Sequence, residues 1–158
     1  MKPTKYFLYV RKSSEEEERQ VKFIEAQLIE LDEYAQKLNI KITKTFAESQ
    51  SAKRPGRKVF NEMLEKVYSS KEPVGILACH PDRLARNSVD GGQIIYLVDI
   101  GKVTALDFPT FWFESTAQGL FMLQISFGNQ NTIPITLLKM LSGASDSIRI
   151  KKKRSKCS

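Results

Sequence analysis

The sequence predicts a three-layer α/β/α domain in which a mostly parallel central sheet is covered by helices on both faces. Three observations carry that expectation. The first 108 residues alternate segments of strand and helix character, the pattern that builds parallel sheets through crossover helices. Residues 74–79 (VGILAC) form a short continuous apolar run, as expected of a strand buried on both faces. A chain of 158 residues has the length of one domain, or of one domain with an appendage.

Each element has a local reason. Residues 6–10 (YFLYV) are aromatic and β-branched, a buried strand. Ser13 and Ser14 precede glutamates at 15–18; a hydroxyl cap with acids in the first turn satisfies the exposed N–H groups and the helix dipole. Val21, Ile24, Leu28, Leu31, Ala35 and Leu38 then recur at spacings of three and four, one face of a long helix. Residues 40–46 (IKITKTF) alternate as a second strand, and 48–57 (ESQSAKRPGR) form a loop broken by Pro55 and Gly56. Phe60, Met63, Leu64 and Val67 mark the next helix. After the strand at 74–79 comes a polar turn over 80–87, then a helix with Ser88 as its cap and Gly101 just beyond its end. Residues 103–108 are a further strand. Residues 110–114 (TFWFE) read as an edge strand or a loop, and 118–127 as a helix through Leu120, Leu123 and Phe127.

Composition excludes several classes. The chain is 41% hydrophobic and 27% charged, ordinary for a globular protein with a substantial core. No stretch nears the roughly 18 consecutive apolar residues of a membrane helix, and no signal core follows the N-terminus. Cys79 and Cys157 make no disulfide framework, and with one histidine they make a zinc site improbable. The net charge of +7 is concentrated: residues 129–158 hold seven Lys and Arg against Asp146, a balance of +6, so residues 1–128 carry only +1. The charge therefore reports a basic tail, not a basic globule. Such a tail binds nucleic acid electrostatically or is merely solvated.

Functional residues in open α/β sheets gather where strands end and loops begin. That rule collects Arg11, Lys12, Ser13 and Ser14 after the first strand. It adds Lys53, Arg54 and Arg57 after the second, and Asp82, Arg83 and Arg86 after the third. A serine among guanidiniums suits phosphoryl transfer, because preorganised arginines stabilise charge spread over phosphate oxygens without a metal. A hydrolase triad is disfavoured: His80, the sole histidine, would need an acid partner, and there is no GxSxG elbow. Neither a Walker A pattern nor a Gly-rich dinucleotide loop is present. Taken alone, Ser13 or Ser14 is a helix cap, Lys53, Arg54 and Arg57 are loop charges, Arg83 and Arg86 pair with Asp82, and Cys79 is an inert core residue.

Together these residues resemble the catalytic domain of the serine site-specific recombinases, the resolvase/invertase family. The resemblance rests on Tyr9-Val10-Arg11-Lys12-Ser13, on Gln27, on 51–57 (SAKRPGR) leading to Phe60, Met63 and Leu64, and on 82–86 (DRLAR). The run from Gly91-Gly92-Gln93 through 108–114 (FPTFWFE) is most similar to the large, transposon- or phage-borne branch. The resemblance implies that Ser13 is the nucleophile on a DNA phosphodiester, forming a 5′-phosphoserine link, with Ser14 in the position that follows it. Arg11, Arg57, Arg83 and Arg86 would surround the phosphate, Asp82 would orient them or assist proton transfer, and Gln27 would line the site. Lys12, Lys53 and Arg54 would contact DNA. It implies no cofactor and no metal, a cytoplasmic setting on a bacterial mobile element, and dimers that synapse into tetramers.

The resemblance stops after Phe127-Gly128. Where the family continues into a long dimerisation helix, with a sequence similar to QSKYYSDNLTENVKRGIRQ, this chain reads NQNTIPITLLKMLSGASDS. With synonymous codons chosen freely, reading the last base of each codon with the first two of the next converts the second string into the first. The expectation is a catalytic domain at 1–128 followed by an out-of-frame basic tail at 129–158, produced by a one-base deletion near the Gly128 codon, with no DNA-binding domain. The nucleotide sequence of the gene tests this directly. Two readings compete with an active enzyme. One is a recombinase remnant or regulatory fragment with at most non-specific DNA binding. The other is a receiver-like signalling module, which would need acids where this chain has arginines.

Overall fold

Strand β1 (Tyr6–Arg11) is buried along all six residues, because it lies inside the sheet and helices cover both its faces. The computed structural model describes residues 3–11, 17–50 and 52–128. Ser13, Ser14 and Lys12 lie outside the described residues, as do the expected helix cap and the tail at 129–158.

The remaining elements are α1 (Glu17–Lys37), β2 (Ile42–Glu48), α2 (Lys58–Ser69), β3 (Val74–Ala78), α3 (Pro81–Leu84), α4 (Ser88–Asp99), β4 (Val103–Asp107) and α5 (Ala117–Gly128). The four strands lie in the order β2-β1-β3-β4, all pairs parallel. This is the α/β architecture expected, with a sheet that is wholly parallel.

Alternation along β1 divides the core. Phe7 and Tyr9 point to the face packed by Phe60, Met63, Leu64 and Val67 of α2, Ile94 and Leu97 of α4, and Leu123 and Phe127 of α5. Tyr6, Leu8 and Val10 point to the other face, against Leu31 and Ala35 of α1. The amphipathic face predicted for α2 is its buried set, residue for residue. Strand β2, at the sheet edge, shows the alternating burial of a half-covered strand. Gly91 permits the closest helix contact: a Cβ there would lie 2.7 Å from Cβ of Phe127, so α4 and α5 cross at a distance only glycine allows.

The boundaries moved in three places. The second strand begins and ends two residues later than its alternation indicated, at Ile42 and Glu48. The turn at 80–87 contains α3, started by Pro81 at its first position and capped by His80, whose ring accepts from the Asp82 N–H. The cap of α4 is Asn87 and not Ser88, because the Asn87 side chain accepts from the Asp90 N–H. The segment 110–114 is a loop holding one antiparallel bridge, between Phe108 and Phe111. No described helix is long and apolar enough to cross a membrane.

Candidate active site

The chain leaves β1 for β2 on one side and returns to β3 on the other, so the strand order reverses at the β1/β3 boundary. Ligands of open α/β sheets bind outside the carboxyl ends of the strands at such a switch point. Here that point is bordered by Arg11, the last residue of β1, and by residues 80–86 that follow β3. Arg11 is 3% exposed, and its guanidinium is pushed toward the neutral form by burial and by the positive charges of Arg83, Arg86 and Arg57. All three thus act on Arg11 electrostatically. Asp82 stands at the edge of the cluster, 3.9 Å from Arg86 Nη2, with its other oxygen 2.9 Å from His80 Nδ1.

Arg57 occupies a different environment from the one expected. Its guanidinium is 1% exposed and engaged on three sides. Nε and Nη2 donate to Asp90 Oδ2 at 3.2 and 2.8 Å, Nη1 donates to the Tyr9 hydroxyl at 2.7 Å, and Nη2 donates to the Leu84 carbonyl at 2.7 Å. It also lies 4.0 Å from the centroid of the Phe60 ring. In this arrangement Arg57 braces the loop before α2 against β1, α3 and α4. Asp90 is 1% exposed and also accepts from Asn87 Nδ2, which reaches on to the Ala52 carbonyl. The Arg86 N–H donates to the same carbonyl, so the network ties the loop after β2 to the DRLAR segment. Burial pushes the Tyr9 hydroxyl well up from its ordinary value, which keeps it a neutral acceptor for Arg57.

Glu48, at the end of β2, is 2% exposed. One carboxylate oxygen accepts from the N–H groups of Ser49 and Gln50, the other from those of Val59 and Phe60. The α2 N-cap residue, Arg57, makes no side-chain cap bond; Glu48 supplies that function from the neighbouring strand, placing an anion at a helix N-terminus. Glu48→Gln turns one acceptor into a donor facing two N–H groups. It is expected to lower the unfolding free energy by about 2–3 kcal/mol, read from the urea midpoint at constant slope. An unchanged midpoint would rule out the capping role.

The other expected residues are spread out. Gln27 of α1 is 7% exposed, and among the described residues both polar atoms of its amide are buried without a hydrogen-bond partner, an arrangement that costs free energy unless a ligand or a neighbouring segment satisfies it. Lys53 and Arg54 are exposed on the loop after β2. Cys79 is a free, half-buried thiol, pushed up to about 11 by burial and by Glu30 against an opposing pull from Arg83, and is thus not a thiolate near neutrality. Sequence reasoning missed Glu48, Asp90, Asn87 and the acid partner of His80. Three of these had a signal: Asn87 and Asp90 have capping-box spacing, and Glu48 shares the parity of buried Phe46.

The profile of the resolvase N-terminal domain matches residues 6–128. The chain belongs to this family, the serine recombinases. Solved structures agree on the fold of the resolvase domain. The N-terminal catalytic domain of TP901-1 integrase is 22% identical, with 77% of this chain and 90% of that one covered at a TM-score of 0.58. The C-terminal catalytic domain of ISC1926 TnpA, an IS607-like serine recombinase, is 20% identical, with coverage of 89% and 99% and a TM-score of 0.56. A resolvase family site-specific recombinase from Streptococcus pneumoniae is 21% identical, with coverage of 75% and 82% and a TM-score of 0.60. No curated protein matches the chain significantly. In this resolvase domain, then, the strand-end arginines and the DRLAR segment sit at the switch point of the family fold.

Proposed function

We propose that this chain carries the strand-cleavage chemistry of site-specific DNA recombination. The observation that supports it best is the placement of Arg11 at the carboxyl end of β1, beside Arg83 and Arg86 of the segment that follows β3, at the switch point of the sheet. Guanidiniums at a strand-end crevice suit an anion of dispersed charge, such as a phosphodiester. In this reading Ser13, two residues beyond Arg11, attacks the phosphorus. The Oγ–P bond forms as the P–O3′ bond breaks, leaving a 5′-phosphoserine link and a free 3′-hydroxyl. The ester conserves the bond free energy for rejoining. Arg11, Arg83 and Arg86 hold the phosphate, Asp82 orients Arg86, and Gln27 offers its amide to the site. Arg57 positions the surrounding loops. Lys12, Lys53 and Arg54 contact the DNA backbone, and cutting and exchange proceed in a dimer that synapses into a tetramer.

A covalent-trapping assay tests this. Nicked duplex DNA is incubated with the full chain and with Ser13→Ala, then denatured. The wild-type chain is expected to yield a protein–DNA adduct and Ser13→Ala none. A folded wild-type chain that forms no adduct would overturn the enzymatic reading in favour of a regulatory fragment or a remnant.

A further inference from the structure

We propose that Asn87 is a positioning residue of the strand-end site: its amide clamps the loop that follows β2 to the segment that follows β3, and so holds the cations of both in place for a phosphate. The inference rests on the reading of that site as one for a phosphodiester, and adds a residue to it. Asn87 Oδ1 accepts from the Asp90 N–H at 2.9 Å, the N-cap bond of α4. Nδ2 donates to Asp90 Oδ2 at 2.8 Å and to the Ala52 carbonyl at 3.1 Å. These partners fix which end of the amide is which: turned over, its oxygen would face two acceptors and its nitrogen a donor. Capping uses the oxygen alone, and a serine would serve as well. The reach of Nδ2 to Ala52, 35 residues away in the chain, does nothing for the helix.

What the amide holds is the loop. The Ala52 carbonyl also accepts from the Arg86 N–H at 3.1 Å, so residues 86 and 87 grip one peptide group with consecutive donors. Ala52 itself is wholly buried. At the far end of the loop, Arg57 Nη2 donates to the Leu84 carbonyl and to Asp90. The segment 52–57 is therefore fastened at both ends to residues 84–90, and the exposed Lys53 and Arg54 lie between the two fastenings. Asp90 joins them, because its Oδ2 accepts from Arg57 and from Asn87. A cation on an anchored loop loses less freedom when it binds than one on a loose loop. Asn87 carries no charge and acts through Arg86 and through the loop, not by touching the anion.

Asn87→Ser keeps a cap for α4 and the net charge but cannot reach Ala52, whereas Asn87→Ala removes cap and clamp together. Amide ¹H–¹⁵N spectra of the full chain are titrated with inorganic phosphate and read at Arg83 and Arg86. The wild type is expected to shift saturably there, and Asn87→Ser to need about 10-fold more phosphate for the same shift. Hydrogen exchange at the Arg86 N–H is expected to quicken about 10-fold in Asn87→Ser. The Gly91 N–H, bonded to the Asn87 carbonyl in the first turn of α4, is expected to keep its wild-type rate in Asn87→Ser and to quicken in Asn87→Ala. Equal quickening at Gly91 and Arg86 in Asn87→Ser would make Asn87 a helix cap alone and overturn the role. Wild-type phosphate affinity in Asn87→Ser also overturns it, and leaves the phosphate reading standing. A wild type without a saturable shift at Arg83 or Arg86 overturns both. One check needs no variant: the Asn87 side-chain amide protons are expected to exchange slowly and to show a cross-relaxation peak to the Arg86 N–H, and freely exchanging protons overturn the clamp.

Discussion

Asp90→Ala is expected to destabilise the domain by about 3–5 kcal/mol, the range for removing one partner of a buried ion pair. The substitution strands the Arg57 guanidinium in the interior, 1% exposed, with two of its four hydrogen bonds gone. It also removes the acceptor of Asn87 Nδ2, which helps tether the Ala52 carbonyl. Arg57→Lys fares little better, since an ammonium cannot reach Asp90, Tyr9 and Leu84 together as the planar fork does. The double variant Arg57→Met, Asp90→Leu separates the cost of an orphaned charge from the worth of the pair. It is expected to recover most of the loss, because apolar replacement of a buried pair is often neutral or stabilising. Urea unfolding of the three variants decides the matter. A loss below about 1 kcal/mol for Asp90→Ala would mean that the pair is not what holds the loop after β2 against α4.

The contrast between α2 and Arg57 shows what could be read from sequence. The helix was legible because Phe60, Met63, Leu64 and Val67 face one way at helical spacing and are its buried set; periodicity depends on chain geometry alone. The strands were legible for the same reason, with β3 a continuous apolar run and β2 an alternating edge. Arg57 reads locally as one of three loop cations. Its burial depends on Asp90, which is 33 residues away, and on Tyr9, which is 48 residues away. No local pattern carries such a pairing. Glu48 is similar: its partners at 59 and 60 become neighbours only after α2 packs beside β2. The short helix α3 was hidden in a polar turn because four residues give no periodicity, although Pro81 marks its start. His80 was set aside for want of an acid, yet Asp82, two residues on, supplies one once the turn winds into α3. The strand-end rule gathers Arg11, Arg83 and Arg86 because it needs only topology; that Arg57 braces the neighbouring loops required the packing.

Arg11→Met is expected to suppress chemistry and to weaken the response of the fold to anions. In the free protein the Arg11 guanidinium is disfavoured by burial and by Arg83, Arg86 and Arg57. A phosphodiester reverses the sign of the interaction, because the same crowded cations then neutralise an anion. Losing one is expected to slow adduct formation by about 10²–10³-fold, the range for removing a preorganised group that stabilises developing charge. Inorganic sulfate offers a readout independent of DNA: an anion that binds the folded state alone raises Tm in proportion to the logarithm of its occupancy term, and Arg11→Met is expected to blunt that rise. If Arg11→Met leaves the sulfate response and adduct formation intact, Arg11 does not hold the anion and is a structural residue of the sheet. If adduct formation and sulfate response both fall in a folded variant, Arg11 holds the phosphate, and the crevice at the β1/β3 boundary is the site of cleavage.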